Sequence, residues 1–578
     1  MVVPFYYLGQ MYYTFWMQIT LFRFMVTLLT VSRLVFPQAD SSSLPAVPTQ
    51  TSIARATTRL VQISVVVQDR RGRPIKDLRQ EDFHLTENGK AQKVSFFSIE
   101  SNRKAVGRGT TLPADTFSNM PSQSGASENL TVILFDMLNT PMVNRANARD
   151  EVIRFLQQIE TQDRVAIYGL GNTLQILHDF TGNSESMLRA VRRYKAPGTV
   201  PRIPLSPSID DSPMSAFSGP EQAIMEMMDK FLSESNRIVA DQFIERRMAI
   251  TLDALEAVAY HLIGLPGRKN LVWVSGSIPF AYGSDTFDLN RANPGMKNFS
   301  AAITRASRAI NHANMSIYPV DARGFMGVAE MNPSSTAESG LTGGVRQLNQ
   351  RRDMNVADEV LSSQNTMQEL AEKTGGRAIY NQSDVNGAIQ GVLEESRWTY
   401  TLGYYPADTR FDNKFRSIKV SMDRPDVRLR YRRGYYAVAE EPADSARRQN
   451  AINAAAVRLL DATAVGFSVS VGKPETGSSI RPFTMDVDPG SVTLEKVQDV
   501  FVGGLDAVFV QFDGTGNILT SIGRTVPIRL TSEQREQLLK DGLVLNAPLD
   551  IQGQCERLRF ILRDVNTGAI GTLTVPLK

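Results

Sequence analysis

The sequence predicts an α/β protein in which a mostly parallel sheet, covered by helices on both faces, is combined with β-rich segments before and after it. Two observations carry this prediction. Short apolar segments alternate with amphipathic ones between residues 129 and 397, as in sheets whose strands are connected through helices. The flanking segments alternate apolar and polar residues and are rich in β-branched side chains, which predicts half-buried strands. A chain of 578 residues is long enough for several domains.

We first predict the elements of the central region, 128–397. Its strands are expected at 130–136, 164–169, 173–179, 270–275, 315–321 and 376–380. Its helices are expected at 142–160, 184–194, 246–264, 299–312, 365–374 and 384–397. The sequence GLGNT (169–173) is interpreted as a hairpin turn between the second and third strands. Three segments rich in Pro, Ser, Gly or Asn are expected to be surface loops: 196–220, 279–298 and 324–358.

The segments around the central region are predicted to be β-structure. Residues 58–104 read as a small strand unit with an Asn88-Gly89 hairpin turn, and 398–438 hold three further strands. Neither has enough strands to bury its own apolar face, so we predict that they form one β-sandwich interrupted by the central domain. The Ser/Gly/Pro-rich stretch 101–127 shows no strand pattern, a polar helix is expected at 440–461, and 463–578 reads as a C-terminal β-sandwich.

Composition excludes several classes of protein. The net charge of +3 and the absence of a dense basic stripe argue against nucleic-acid binding. A single cysteine, Cys555, excludes an internal disulfide and any zinc site built from cysteines. The four histidines are scattered without metal-binding spacing: His84, His178, His261 and His312. We therefore expect structural or surface roles for them.

The N-terminal segment predicts export. Residues 1–39 are largely apolar and carry only two charges, Arg23 and Arg33, before a Ser/Pro-rich linker at 40–57. This pattern is typical of a signal peptide, and it is also long enough for an N-terminal membrane anchor. Both alternatives give an extracytoplasmic location, in the periplasm, in the cell envelope or secreted.

Several motifs carry a family resemblance. They are FDMLNT, RVAIYGLG, LPGRKNLVWVSG, IYPVDARG, LAEKTGGRAIYN and YTLGYYP followed by KFRSIKVSMDRPDVRLRYRRGYYA. In order and spacing the chain resembles, over residues 60–438, the VWFA-related domain proteins first grouped from Acidobacteria. The resemblance implies a von Willebrand factor A-type fold, with a doubly wound and mostly parallel sheet. It also implies a role in protein binding or adhesion.

The resemblance draws attention to a metal site. In metal-binding A domains the first strand ends in DxSxS, and a later threonine and an aspartate after the fourth strand complete an Mg²⁺ site. Here Asp136 stands at the first position and Thr140 at the last, but Leu138 replaces the first serine and offers no oxygen. Ser275 stands where the aspartate is expected, and Asp321 could supply a second carboxylate.

Two interpretations of this site stay open. One carboxylate and two hydroxyls are a poor set of Mg²⁺ ligands, so a degenerate site that holds no cofactor is favoured and bound Mg²⁺ is the alternative. Thr251, the only nearby threonine, lies inside an apolar helical pattern. Asp321 is expected to pair with Arg323 or to cap a turn, and Asp136 to accept hydrogen bonds from the backbone amides of its own loop.

The favoured function is that of a non-enzymatic exported protein that binds a protein partner at the C-terminal ends of the sheet strands. No GxSxG elbow, phosphate-binding GxxxxGK[ST] loop or GxGxxG motif is present. The first alternative is an extracytoplasmic hydrolase that uses Ser275. The second is a permanent component of an envelope or secretion scaffold.

Overall fold

The computed structural model describes most of the chain after residue 59. The described residues are 60–101, 112–113, 115–120, 129–160, 163–195, 242–265, 267–277, 300–323, 363–381, 385–408, 410, 412, 414–437, 445–474 and 477–577. The predicted signal peptide or anchor (1–39), the linker (40–57) and the three predicted surface loops lie outside these residues. Among the described helices, none has the length and apolar character needed to span a membrane.

Twenty-two strands and eight α-helices are present in the described residues. The strands, β1 to β22 in chain order, are Val61–Gln68, Phe83–Glu87, Lys90–Gln92, Phe96–Ser101, Thr116–Ser118, Asn129–Asp136, Val165–Leu170, Leu174–Thr181, Arg268–Ser275, Met315–Asp321, Trp398–Tyr404, Phe415–Met422, Arg428–Arg430, Gly434–Tyr436, Phe467–Val471, Ile480–Val487, Glu495–Val497, Val500–Phe512, Ile518–Leu530, Leu543–Asp550, Arg557–Asp564 and Ile570–Pro576. The helices, α1 to α8, are Arg145–Leu156, Ser184–Arg193, 242–262, Ser300–His312, 363–374, Val385–Ser396, Ser445–Val457 and Ser532–Asp541.

The central sheet is mixed and mostly parallel, with the strand order β10-β9-β6-β7-β8. The neighbours β10, β9, β6 and β7 are parallel, and β8 is antiparallel to β7. This confirms the predicted hairpin at 169–173. Side chains of β6 alternate between two cores: Val132 and Leu134 pack with residues of α3, α4 and α5, whereas Ile133 and Phe135 pack with residues of α1, α2 and α6. Helices therefore cover both faces of the sheet, which explains why residues 132–135 of β6 and 271–274 of β9 are all apolar.

The sixth predicted strand, 376–380, is reduced to a single bridge between Ile379 and Val320. Gly376 lies so close to β10 that a Cβ atom on it would stand 1.9 Å from the carbonyl oxygen of Ile317. The chain then leaves the extended conformation at Asn381, whose φ is +53°. Residues 376–380 therefore run beside β10 over too short a distance to form a ladder of backbone hydrogen bonds with it.

Two four-stranded sheets combine strands from before and after the central region. Their orders are β13-β1-β11-β4 and β14-β12-β2-β3. The two sheets enclose one apolar cluster that includes Ile63, Leu85, Tyr400, Leu402 and Val420. The segment 398–438 contributes four strands rather than the three predicted, because Gly434–Tyr436 also pairs with β12. The domain boundaries at 58–104 and 398–438 stay predictions.

The C-terminal segment forms two further sheets around another apolar cluster. One has the order β20-β16-β15-β5, and the other contains β17, β18, β21 and β22 with β19 paired to β18. The strand β5 is unexpected, because it lies in the stretch 101–127 where no strand was predicted. It is held by buried Asn119, whose amide nitrogen donates to the carbonyl oxygens of Ala462 and Val465 and whose amide oxygen accepts from the backbone of Phe467.

Candidate functional site

The predicted site lies at the carboxyl end of β6, in the middle of the central sheet. Asp136 is the last residue of that strand and is completely buried. Its Oδ1 accepts from the backbone nitrogen of Asn139 at 2.9 Å. Its Oδ2 accepts from Asn139 Nδ2 at 2.8 Å, Trp273 Nε1 at 2.9 Å and Ser275 Oγ at 3.0 Å. Four potential donors therefore face this carboxylate, three at Oδ2 and one at Oδ1.

Asn139 is the centre of the network. Its Nδ2 also donates to Thr251 Oγ1 at 2.9 Å, so the amide stands between the acid and the threonine and uses both of its protons. Arg247 Nε donates to Asn139 Oδ1 at 3.2 Å, and Thr251 Oγ1 donates to the carbonyl oxygen of Arg247 at 2.7 Å. Thr251 is therefore a helical residue of α3 that faces the loop after β6, and its hydroxyl is already engaged.

Thr140, in the loop after β6, and Ser275, the last residue of β9, join the same network. Thr140 Oγ1 donates to the carbonyl oxygen of Asp136 and accepts from the backbone nitrogen of Gly276 at 3.0 Å. Ser275 Oγ lies 3.0 Å from Asp136 Oδ2 and 2.7 Å from the carbonyl oxygen of Ser277. A serine hydroxyl has one proton, so it can donate to only one of these two acceptors at a time.

Asp321 is not hydrogen-bonded to this network in the described part of the chain. It stands beside Ser275 in the register of β10 and β9. Its carboxylate accepts from Arg323 Nε at 2.8 Å and from Arg323 Nη2 at 2.7 Å, and both side chains are buried. The backbone nitrogen of Arg323 also donates to it at 3.0 Å. Both alternatives weighed for Asp321 therefore occur, since its carboxylate pairs with the Arg323 guanidinium and caps the turn at the Arg323 backbone nitrogen.

Burial sets the electrostatics of the site. Loss of solvation raises the pKa of Asp136, and the hydrogen bonds from Asn139, Trp273 and Ser275 oppose that rise. Burial and the nearby Asp136 carboxyl raise the pKa of Tyr194 to about 12. Burial lowers the pKa of Arg145, and the charge of Asp136 opposes that change.

These residues do not fit a divalent cation. The oxygens of Asp136, Thr251 and Ser275 are already engaged in hydrogen bonds, and Asn139 places an N–H donor where a cation would need a lone pair. Leu138 packs into the apolar core of the sheet. No group of three or more His, Cys, Asp or Glu residues suited to a metal occurs in the described residues. Mg²⁺ needs about six oxygen ligands in octahedral geometry, so binding would require this network to be taken apart.

An exposed apolar turn stands directly above the network, and the sequence prediction missed it. A 3-10 turn, Met142–Asn144, follows Pro141, with the Met142 side chain 75% exposed and that of Val143 86% exposed. Arg145 fixes the loop below by donating to the carbonyl oxygens of Thr140 at 3.0 Å and Met137 at 2.7 Å. We call residues 141–143 the apolar tip.

The missed residues left only weak signals in the sequence. Asn139 belongs to the motif FDMLNT and Trp273 to VWVSG, but spacing alone does not show that their side chains meet. The apolar tip is visible as the sequence PMV after Thr140. Its exposure depends on the turn, because Pro141 starts a short 3-10 turn whose side chains point away from the sheet.

The chain was compared with protein families, curated proteins and solved structures, and the similarities found are weak. No family model and no curated protein matches the chain. The PilB minor pilin from Streptococcus sanguinis is similar at 10% identity, with a TM-score of 0.25 over 47% of this chain and 62% of the pilin chain. An aerotolerance-related membrane protein from Bacteroides fragilis NCTC 9343 is similar at 11% identity, with a TM-score of 0.23 over 46% of this chain and 97% of its own. The ArnB paralog VWA2 from Sulfolobus acidocaldarius has 10% identity and a TM-score of 0.17 over 86% of this chain and 75% of its own. This chain thus spans less than two thirds of the pilin, and TM-scores this low carry no argument.

Proposed function

We propose that residues 128–397 form a von Willebrand factor A-type domain that binds a protein partner through the apolar tip, without a metal ion. The strand order supports the A-type assignment, because the central strand β6 ends in Asp136 and the antiparallel strand β8 lies at one edge. The sequence motifs that resemble the VWFA-related proteins support it as well. The position of the tip agrees with the predicted partner surface at the carboxyl ends of the strands.

The observation that carries the proposal is the exposure of Met142 and Val143 on a rigid support. Apolar side chains that stand in solvent mark interaction sites when they are held together. Methionine also adapts its shape to different surfaces. Because Arg145 and the buried network fix the loop, little conformational entropy is lost when a partner binds.

The same network accounts for binding without metal. In metal-binding A domains, a bound Mg²⁺ lies at this loop and retains waters that a partner's carboxylate can displace. Here the amide of Asn139 links Asp136 to Thr251 in place of such an ion. The loop is therefore organised by the chain itself, and the contact with the partner is apolar instead of charged.

A hydrolase is the less favoured alternative. Ser275 is completely buried, and its hydroxyl lies against the carbonyl oxygen of Ser277 and the carboxyl of Asp136. No hydrogen bond from a histidine reaches it in the described part of the chain. A nucleophilic serine needs access to substrate as well as a base, and the completely buried Ser275 has no such access.

A permanent scaffold component would differ from a transient binding protein only in the lifetime of the complex.

The location proposed is outside the cytoplasm. It rests on the apolar, nearly uncharged segment 1–39 and on the Ser/Pro-rich linker that follows it. Fractionation that found the full-length chain in the soluble cytoplasm would contradict it.

The test of the proposed function compares two charge substitutions in the full chain. Met142→Glu with Val143→Glu should reduce binding to the envelope fraction at least tenfold, because the substituted tip carries two charges into an apolar contact. Val497→Glu is the matched control, since Val497 is an apolar side chain that is 51% exposed and lies in the C-terminal segment. Equal binding by both variants and the unaltered chain would refute the proposed surface.

A further inference from the structure

The C-terminal segment contains a long strand at the edge of its sheet. The strand β19 has 13 residues, and within the described residues it pairs with β18 alone. The other edge strands in the described chain have eight residues or fewer. Free sheet edges pair readily with other strands, so proteins usually shorten, cover or interrupt them.

Several shorter edges carry such protection. The edge strand β20 contains Pro548, and the carbonyl oxygen of Asn546 accepts a hydrogen bond from Arg524. The free edge of β22 is covered near Thr572, whose backbone nitrogen donates to the carbonyl oxygen of Ala462. In β19, Pro527 stands near the end of the strand and Arg524 places one charge on it. Residues 518–526 contain no proline, and no backbone hydrogen bond covers their outer edge in the described residues.

The direction of the free backbone groups follows from the neighbouring strand. The carbonyl oxygen of Gly504 in β18 accepts from the backbone nitrogen of Val565, so Gly504 points away from β19. Backbone direction alternates along a strand. With the observed register of β18 and β19, the N–H and C=O groups of Ser521, Gly523 and Thr525 therefore point outward. No hydrogen bond of these backbone groups to another strand is present in the described residues.

We propose that β19 pairs with β19 of a second copy of this chain, antiparallel and centred on Ile522. In that register Ser521 of one copy faces Gly523 of the other, and each such pair exchanges both of its backbone hydrogen bonds. The Ile522 side chain, 46% exposed in the single chain, meets its own copy across the two-fold axis. Such an isologous contact is closed, so it gives a dimer and no fibre.

Charge favours a second copy as the occupant. Arg524 is the only charged residue between positions 518 and 526. In the proposed register it faces Thr520 of the other copy, so no like charges stand opposite each other. A partner strand rich in acidic residues would find only one positive charge on this edge, Arg524. Pairing with a second copy instead buries Ile522, the apolar residue at the centre of the edge.

The proposal predicts a concentration-dependent dimer of the full chain, measured by sedimentation velocity. Ile522→Lys should weaken the dimer about tenfold or more, because it removes the apolar contact and places two lysines opposite each other. Val544→Lys is the control, since Val544 is a 54% exposed apolar residue on β20, an edge strand of the other C-terminal sheet. It should leave the dimer unchanged.

Further variants distinguish a loss of strand pairing from a misfolded chain. An equimolar mixture of Ile522→Lys and Ile522→Glu chains should recover the dimer, since opposite charges then meet at the axis, while each variant alone stays mostly monomeric. Ser521→Pro should also weaken the dimer, because it removes an N–H that points away from β18 and so spares the β18–β19 ladder. An unaltered chain that is monomeric at its highest soluble concentration would overturn the proposal. A dimer that Ile522→Lys and Ser521→Pro leave intact would overturn it too.

Discussion

Replacing Asn139 by alanine tests whether its amide holds the loop beneath the apolar tip. The side chain makes three hydrogen bonds: Nδ2 donates to Asp136 Oδ2 and to Thr251 Oγ1, and Oδ1 accepts from Arg247 Nε. The bonds to the Asp136 carboxylate and to the Arg247 guanidinium involve charged groups and contribute about 1.5–3 kcal/mol each, and the neutral bond to Thr251 contributes about 1 kcal/mol. Asn139→Ala should therefore lower the free energy of unfolding of the central domain by about 4 kcal/mol or more.

The loss can be measured by urea unfolding followed through tryptophan fluorescence, because Trp273 donates its indole N–H to Asp136 and reports on this core. Gln157→Ala is the control, since Gln157 is an exposed residue at the end of α1. It should change the free energy by less than about 0.5 kcal/mol. A loss below about 1 kcal/mol for Asn139→Ala would refute the reasoning, because a buried carboxylate would then tolerate a missing donor.

Three further predictions concern the same loop. Burial raises the folded-state pKa of Asp136, so between the unfolded-state and folded-state pKa values the folded chain binds more protons than the unfolded chain. The free energy of unfolding therefore falls as pH rises through that window. Asp136→Asn should remove this pH dependence from urea midpoints measured between about pH 4 and about pH 7. Calorimetric titration of the full chain with Mg²⁺, Ca²⁺ and Mn²⁺ should show no saturable binding. Saturable binding that Asp136→Ala abolishes would contradict the account in which hydrogen bonds already occupy the Asp136 carboxylate. Gly276→Ala would place a Cβ atom 2.5 Å from Pro141 Cδ and 3.1 Å from Thr140 Cα, so it should displace the tip and cost about 1–3 kcal/mol in urea unfolding; an unchanged midpoint would contradict the packing described.

The central sheet was predictable because its inner strands are apolar and its helices amphipathic. The predicted strand 130–136 and the observed Asn129–Asp136 differ by one residue. Two errors share a physical cause, which is that contacts distant in sequence override local pattern. The strand Thr116–Ser118 exists because Asn119 bonds to residues more than 340 positions away, and the strand expected at 376–380 is limited by its approach to β10.

The candidate site was only partly predictable. The resemblance to metal-binding A domains placed Asp136, Thr140 and Ser275 at one site, and hydrogen bonds do bring them together. The direction of the Asn139 side chain could not be read from the sequence, because an asparagine in a turn can bond to its own backbone or across the loop. Its link to Thr251 depends on where α3 packs against the sheet, and that is set by the whole core.

The central claim is that the apolar tip contacts a protein partner without metal. Site-specific photo-crosslinking tests it most directly: a photoreactive residue replaces Met142 in one full chain and Val497 in another, and each is irradiated with the envelope fraction from the native cell, with EDTA and with Mg²⁺. We expect one discrete crosslinked protein from position 142, in equal yield under both conditions, and none from position 497. A product that forms only with Mg²⁺, or one that forms equally from both positions, would contradict the account.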